Sequence, residues 1–197
     1  MKSALSLLTI CGLSDLSDYR SQGVTHVLSI LDPAWPEPDA FRSYDPHHRT
    51  MLRFHDAIEP GPGIVLPNSE HVEAILGFGE AIARDTAAER VHLLVHCHMG
   101  VSRSTAAMLM MQAHLHPQEN EDALLERLRE IRPQAWPNSR MIELADTLLD
   151  RKGRLMLALG RYYAGRLARW PEIAEFMQQA KRGREVEMAR RAASSRD

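Results

Sequence analysis

Cys97 and Arg103 stand at the two ends of the short segment CHMGVSR, and their side chains are suited to handling an oxyanion. The segment follows an apolar run that predicts a strand, and it precedes STAAMLMMQAHLH, which predicts a helix. A strand, a loop and a helix N-terminus in this order form an anion site, because the loop amides and the helix dipole present positive charge. Gly100 permits a tight turn within the loop. The arrangement predicts a phosphate site at residues 97–103.

The side chains of this loop predict nucleophilic attack on the bound anion. Cys97 would lie beneath the phosphate, where the amide donors and Arg103 favour the thiolate, a ready nucleophile. Arg103 offers a planar fork that can bind two phosphate oxygens. Ser104 can direct its hydroxyl at the sulfur and help the thiolate leave a phosphocysteine. The other loop residues, which we expect to surround the phosphate, are His98, Met99, Gly100, Val101 and Ser102.

The pattern His96-Cys97-x5-Arg103-Ser104, with Gly100 in the middle, resembles the signature loop of the cysteine-dependent protein tyrosine phosphatases. With Ser102 it is similar to the dual-specificity branch, as an atypical, bacterial-type member. The resemblance covers roughly residues 12–147: GVTHVLSI resembles the strand ahead of the active site, and Arg132 with PN at 137–138 resembles the segment behind the loop. It implies hydrolysis of phosphotyrosine in proteins, with phosphoserine and phosphothreonine as further candidates, and no metal or cofactor.

A general acid must protonate the leaving group of such a reaction. Asp56, in LRFHDAIEP directly after a predicted strand, is the preferred candidate, and it corresponds to the acid loop of the resembled family. Its separation from Cys97 is 41 residues, longer than is usual for dual-specificity enzymes, and the loop IEPGPGIVLP can hold the extra length. Asp39 is the rival because AWPEPD loosely echoes a Trp-Pro-Asp loop, and Asp32 and Glu59 are further alternatives.

The cysteines and histidines also allow interpretations without catalysis. Cys97 can be an inert buried thiol, or a metal ligand together with His92, His96 and His98. Alternation along a strand argues against the metal, because Cys97 points away from its two neighbouring histidines. We expect His96 to brace the loop. Cys11 is most simply a core residue, with a disulfide to Cys97 under oxidation as an alternative.

Other functions are also compatible with the motif. A phosphoinositide or an RNA 5′-phosphate is the alternative substrate, although the residues between Cys97 and Arg103 include no Lys or Arg. A phosphate-binding module without catalysis is the alternative outside the enzymes, and the presence of both Cys97 and Asp56 argues against it. Sulfur transfer of the rhodanese type uses a related cysteine loop, but the Arg103-Ser104 ending suits phosphate better.

The surrounding pattern predicts an α/β fold with four or five mostly parallel strands flanked by helices and followed by a helical C-terminal extension. Short apolar runs predict strands at residues 5–10, 24–31, 51–54 and 91–95. Capping residues and amphipathic spacing predict helices over about 69–84, 103–116, 121–131 and 139–150, then two more after Arg154. The proline-rich stretch 32–49 is expected to be an irregular loop.

The charge divides the chain in two. Residues 1–150 carry 12 Lys and Arg against 21 Asp and Glu, whereas residues 151–197 carry 12 against 5. We expect a catalytic domain over 1–150 and a basic extension over 151–197, with 190–197 frayed. The extension packs on the acidic body or contacts an anionic partner or membrane surface. Its expected core residues are Leu155, Leu157, Leu159, Tyr162, Leu167, Ile173 and Phe176.

The cysteine count and the hydrophobic runs predict where in the cell the protein is found. Two cysteines among 197 residues are too few for a disulfide framework, which favours a reducing compartment, the cytoplasm. The N-terminal MKSALSLLTICGL lacks a signal-peptide cleavage pattern, and no run is long enough for a transmembrane helix. The resemblance to the phosphatases implies a phosphorylated protein as the partner, and no nucleic acid is expected.

Overall fold

A computed structural model of the protein describes residues 5–84 and 90–194. Its centre is a sheet of four parallel strands in the order β1-β4-β2-β3, which confirms the predicted α/β class. The strands are β1 Leu5–Cys11, β2 His26–Leu31, β3 His48–Arg53 and β4 Val91–His96. The central position of β4 explains why every residue of this strand is buried and apolar residues dominate it.

Seven α-helices accompany the sheet in the described ranges. They are α1 Ser69–Arg84, α2 Arg103–Leu115, α3 Glu121–Ile131, α4 Ser139–Leu148, α5 Arg154–Arg169, α6 Ile173–Gln179 and α7 Gly183–Ser194. Asn120 and Asn138 accept hydrogen bonds from Asp122 N and Met141 N, so they cap α3 and α4 as short polar side chains do. The predicted helices of the body are confirmed.

The two faces of the sheet are covered differently. Leu28, Ile30, Leu93 and Val95 face a large apolar cluster that includes residues of all seven α-helices in the described ranges. Val27 and Leu94 face a smaller cluster that two 3-10 helices, Leu13–Tyr19 and Asp39–Ser43, complete. The alternation follows from the two-residue period of a strand.

The prediction of an irregular loop over residues 32–49 is wrong in two places. A 3-10 helix forms at Asp39–Ser43 because Phe41, 8% exposed, has an apolar cluster to pack against. Strand β3 begins at His48, where it pairs with His26, although the apolar run starts only at Met51. Cross-strand pairing therefore lengthens the strand beyond its apolar part.

The C-terminal extension forms three helices where two are predicted. Lys181 adopts a left-handed conformation, with φ 58°, between α6 and α7, and this bend brings Arg182 into the interior. Leu155 and Leu159 are fully buried as expected, but Leu157 and Phe176 are each 65% exposed. Helix α7 runs to Ser194, so the fraying prediction is wrong for residues 190–194, and 195–197 lie outside the described residues. The domain boundary at residue 150 stays a prediction.

Candidate active site

Cys97 follows the last residue of β4 and lies at the carboxyl edge of the parallel sheet, where α/β proteins bind their ligands. Its side chain is 2% exposed, and its Sγ lies 3.2 Å from Ser104 Oγ in the first turn of α2. The structure therefore brings the predicted nucleophile and the predicted hydroxyl into contact.

The loop after Cys97 is held from outside through its carbonyl groups. The carbonyl oxygens of residues 98–102 all accept hydrogen bonds from groups beyond the loop or from the first turns of α2. Within the described chain, none of the amides of residues 98–102 donates a hydrogen bond to protein. The outer donors are Leu13 N to His98, Arg132 Nη2 to Met99, Arg132 Nε to Gly100, Trp136 N to Val101 and Asn138 N to Ser102. We expect these amides to donate to a bound anion.

Gly100 is required at its position for two reasons. Its φ is +66°, in the left-handed region that glycine tolerates best. A Cβ there would lie 2.4 Å from the carbonyl carbon of Cys11 and 2.6 Å from its oxygen. The loop therefore packs directly on the end of β1, and any side chain at residue 100 would displace it.

Arg103 is buried, 3% exposed, with one side of its guanidinium engaged. Nη1 donates to Asp32 Oδ1 at 2.7 Å and to the Phe54 carbonyl at 2.6 Å. Nε has no partner among the described residues. A buried donor without an acceptor costs about 1–3 kcal/mol, so an acceptor placed beside Nε would stabilise the site.

Asp56 lies just beyond β3 and contacts the loop. Its Oδ1 accepts hydrogen bonds from Ser102 Oγ at 2.7 Å and Asn138 Nδ2 at 2.9 Å, and it lies 3.5 Å from Arg182 Nη1. Burial favours the protonated carboxyl, but the charges of Arg182 and Arg103 and the two hydrogen bonds outweigh it, so the pKa of Asp56 is lowered. Asp56 is therefore a carboxylate at neutral pH in the free protein.

The sequence analysis missed the residues that face Asp56 from the C-terminal extension. Arg182 Nη1 donates to Ser102 Oγ at 2.7 Å, and Arg182 Nη2 lies 2.7 Å from Glu185 Oε1. Glu185 is fully buried. A sequence signal existed, because arginine and glutamate three residues apart on a helix can pair, but nothing in the spacing indicated that the pair would turn inward.

The other candidate acids lie elsewhere or have other partners. Asp39 is on a 3-10 helix, with its side chain 83% exposed, and pairs with Arg42 at 3.2 Å. Glu59 lines a cleft of about 1050 Å³ between α5 and α7. Asp32 reaches the site, but its Oδ1 accepts from Arg103. Of the four carboxyl groups considered from sequence, Asp56 and Asp32 lie beside the loop.

Two histidines beside the loop contact residues outside it. His96 Nε2 lies 2.7 Å from Ser29 Oγ on the neighbouring strand, and burial lowers the pKa of His96 to about 4, so the ring is neutral. The ring of His98 packs against that of Trp35, with 4.4 Å between centroids, and Asp32 N donates to His98 Nε2 at 3.3 Å. Burial, with Arg103 second, lowers the pKa of His98 as well.

The remaining predicted loop residues differ in exposure. Met99 is 72% exposed at the mouth of the site, Val101 is half-buried, and Gly100 and Ser102 are buried.

Both cysteines are free thiols, and Cys11 is buried in the smaller cluster, where desolvation raises its pKa to about 12. Among residues 5–84 and 90–194, no three His, Cys, Asp or Glu side chains group as a metal site would need.

Comparison with known proteins identifies the fold. No family model matches the sequence, and no curated protein matches it at significant similarity. Crystal structures of phosphatases do match. Cydia pomonella PTP-2 matches with TM-score 0.55 and 18% identity over 72% of this chain and 85% of that one. Human DUSP28 matches with TM-score 0.53 and 16% identity over 73% of this chain and 94% of that one. The Yvh1 phosphatase domain from Chaetomium thermophilum matches with TM-score 0.50 and 23% identity over 75% of this chain and 93% of that one. The chain has a dual-specificity-like phosphatase fold.

That fold places the cysteine loop at the carboxyl edge of the sheet, where the contacts above converge. Arg182 of the C-terminal extension also reaches the loop, at Ser102. No helix in the described ranges has both the length and the apolar character needed to cross a bilayer.

Proposed function

We propose that the protein is a phosphatase that hydrolyses phosphomonoesters, above all phosphotyrosine in proteins, through a phosphocysteine intermediate. The observation that supports it best is the buried Nε of Arg103, which lacks a partner among the described residues, beside a loop whose amides donate to no protein group in the same part of the chain. An anion with several acceptor oxygens would satisfy both sets of donors together.

The proposed reaction has two steps. Cys97 Sγ attacks phosphorus while the bond to the leaving oxygen breaks, and Asp56 donates its proton to that oxygen. Water then attacks the phosphocysteine with Asp56 as the base, and the thiolate departs as Ser104 Oγ, 3.2 Å away, donates to it. Arg103 and the loop amides bind the phosphoryl oxygens throughout.

The loop favours a protein substrate over a more highly charged lipid or RNA end. No Lys or Arg lies between Cys97 and Arg103, and the lowered pKa of His98 leaves that ring neutral. A polyanionic headgroup would find one cation, Arg103, inside the loop. A single phosphate on an aromatic leaving group needs no more.

The test compares native protein with Cys97→Ser and Cys11→Ser on phosphotyrosine peptides and on an inositol phospholipid. We expect native protein and Cys11→Ser to release phosphate from the peptide and Cys97→Ser to be inactive. Acid quenching should trap labelled phosphate on the native chain and on Cys11→Ser, but not on Cys97→Ser. Equal turnover by Cys97→Ser would overturn the thiol mechanism, and faster release from the lipid would overturn the substrate class.

A catalytically silent phosphate-binding module makes a different prediction. It would bind inorganic phosphate with the native loop yet release none from any ester. Measuring the binding of inorganic phosphate beside these activity assays separates the two candidates, because phosphate binding without turnover rejects the enzyme.

A further inference from the structure

Arg182 lies at the bend between α6 and α7, 80 positions along the chain from the loop residue Ser102 that it contacts. The left-handed Lys181 directs it inward, and its side chain is 6% exposed. An arginine this deeply buried needs compensation for its lost hydration. Its partners show where the compensation comes from.

The guanidinium bridges two carboxylates. Nη1 lies 3.5 Å from Asp56 Oδ1 and donates to Ser102 Oγ at 2.7 Å, and Ser102 Oγ in turn donates to Asp56 Oδ1 at 2.7 Å. Nη2 pairs with Glu185 Oε1 at 2.7 Å. The order Asp56, Arg182, Glu185 alternates in charge, so Glu185 competes with Asp56 for the positive charge of Arg182.

Glu185 accepts hydrogen bonds from groups of the body and of α5. Trp136 Nε1 donates to Oε2 at 2.6 Å, and Ser139 N donates to Oε1 at 2.9 Å. The hydroxyl of Tyr163 donates to Oε1 at 3.3 Å. These donors hold Glu185 rigidly, so Arg182 is held in one position as well.

We propose that Arg182, held by Glu185, is a positioning residue that fixes Asp56 against the catalytic loop and sets the pH range in which Asp56 exchanges its proton. This inference rests on the proposed function for the role of Asp56. The C-terminal extension is then part of the active site.

The charged groups that face Asp56 come from three parts of the chain. Arg103 of α2 and Arg182 of the extension are the cations, and His98 of the loop is a neutral ring because its pKa is lowered. Asp32 acts on Asp56 through the arginine they share, since Arg103 Nη1 is bonded to Asp32. The charge of Arg182 lowers the pKa of Asp56 more than the charge of Arg103 does.

Two substitutions should move the titration of Asp56 in opposite directions. Arg182→Met removes a cation, so the Asp56 pKa rises. Glu185→Gln removes the competing anion, so Arg182 acts more strongly on Asp56 and its pKa falls. If Arg182 and Glu185 only supported the fold, both substitutions would shift the Asp56 pKa in the same direction.

The experiment follows the Asp56 carboxyl carbon by NMR titration of 13C-labelled full-length protein, with Asp56→Asn to assign the signal. It also measures the pH profile of kcat/KM on a phosphotyrosine peptide. For Arg182→Met we expect the protonated fraction of Asp56 at a fixed pH of about 6 to rise roughly tenfold, so the fall of kcat/KM with rising pH begins at a higher pH than in the native protein. For Glu185→Gln that fall should begin at a lower pH. The matched control is Arg184→Met, because Arg184 pairs on the surface with Glu143 and should keep the protonated fraction of Asp56 within about twofold of the native value.

Folding is separated from positioning by a double variant. Arg182→Met leaves Glu185 buried without its cation, so Arg182→Met with Glu185→Gln removes the buried pair together. If the single variant is unfolded by circular dichroism, the double variant must still show a raised Asp56 titration. An unchanged Asp56 titration in folded Arg182→Met, or in the double variant, would overturn the inference. Because the NMR titration needs no turnover, failure of the phosphatase proposal is recognised separately, by an inactive native protein.

Discussion

Asp56 accepts two hydrogen bonds and lies beside Arg182, so the free protein holds it as a carboxylate. A carboxylate suits the second step of the proposed reaction, where Asp56 removes a proton from water. The first step needs the acid form. A bound phosphate dianion raises the pKa of a neighbouring carboxylate by like-charge repulsion and also engages Arg103, so substrate binding itself favours proton uptake.

Asp56→Asn should therefore matter most when the leaving group is a poor one. We expect kcat for phenyl phosphate to fall about 10²- to 10⁴-fold, with a smaller loss for dinitrophenyl phosphate, whose phenolate leaves unprotonated. A series of aryl phosphates measures this dependence. The control is Asp39→Asn, since Asp39 is exposed and pairs only with Arg42 among its described contacts. Loss of activity in Asp39→Asn and not in Asp56→Asn would show that the acid is misassigned.

Single residues of the site were predictable to the extent that their chemistry is local. Cys97, Arg103 and Ser104 lie within one short segment, so their types and spacing indicated a shared task. Asp56 was recognisable because it follows a strand. Arg182 was not, because its contact with Ser102 depends on how the extension folds back over the body.

At the level of elements, the loop owes its shape to supports outside itself. Arg132 bonds the carbonyls of Met99 and Gly100, and the backbone after α3 bonds those of Val101 and Ser102. The end of β1 leaves room at residue 100 for glycine alone. Catalytic geometry therefore depends on elements that carry no reacting group.

Gly100→Ala tests this dependence. The new Cβ would collide with the Cys11 carbonyl at 2.4 Å, so the loop must shift, and a shift of this size costs roughly 100-fold in kcat/KM. Gly23→Ala is the matched control: its φ is also +66°, but no atom lies within 4 Å of the added Cβ. It should lose about 1–2 kcal/mol of stability and keep its activity. Equal kinetic losses in both variants would show that backbone strain, and not the collision, is responsible.

The strands and body helices followed from apolar periodicity because each one buries a continuous face. The failures occurred where distant partners decide local structure. The 3-10 helix at Asp39–Ser43 depends on a pocket for Phe41, and the bend at Lys181 depends on partners for Arg182 in the body. Neither dependence leaves a pattern in the neighbouring residues.

At the scale of the whole molecule, the C-terminal helices share the main apolar cluster with the sheet. Leu155, Leu159 and Tyr163 of α5 and Val186 of α7 belong to it, and Arg161 and Arg184 pair with Asp122 and Glu143 of the body. The basic extension and the acidic body are thus joined by buried apolar contacts and by surface ion pairs. We expect them to unfold together.

Leu159→Ala tests for one cooperative unit. Leu159 is fully buried, so its truncation should lower the free energy of unfolding by about 2–5 kcal/mol in a single transition. Leu157→Ala, two positions away and 65% exposed in the native chain, should change it by less than about 0.5 kcal/mol. Urea unfolding followed by tryptophan fluorescence and by phosphatase activity measures both. Early unfolding of the extension, with activity retained, would contradict the expectation and support a separate domain.

The contact between Ser102 and Arg182 has a consequence for biosynthesis. Ribosomes release the N-terminal side first, so Cys97 emerges well before the arginine that completes the surroundings of Asp56, 80 positions beyond Ser102. A nascent chain that has not yet exposed α6 and α7 holds the nucleophile before Asp56 is fixed against the loop. The native pH dependence of turnover would therefore appear only once Arg182 has left the ribosome and reached Ser102.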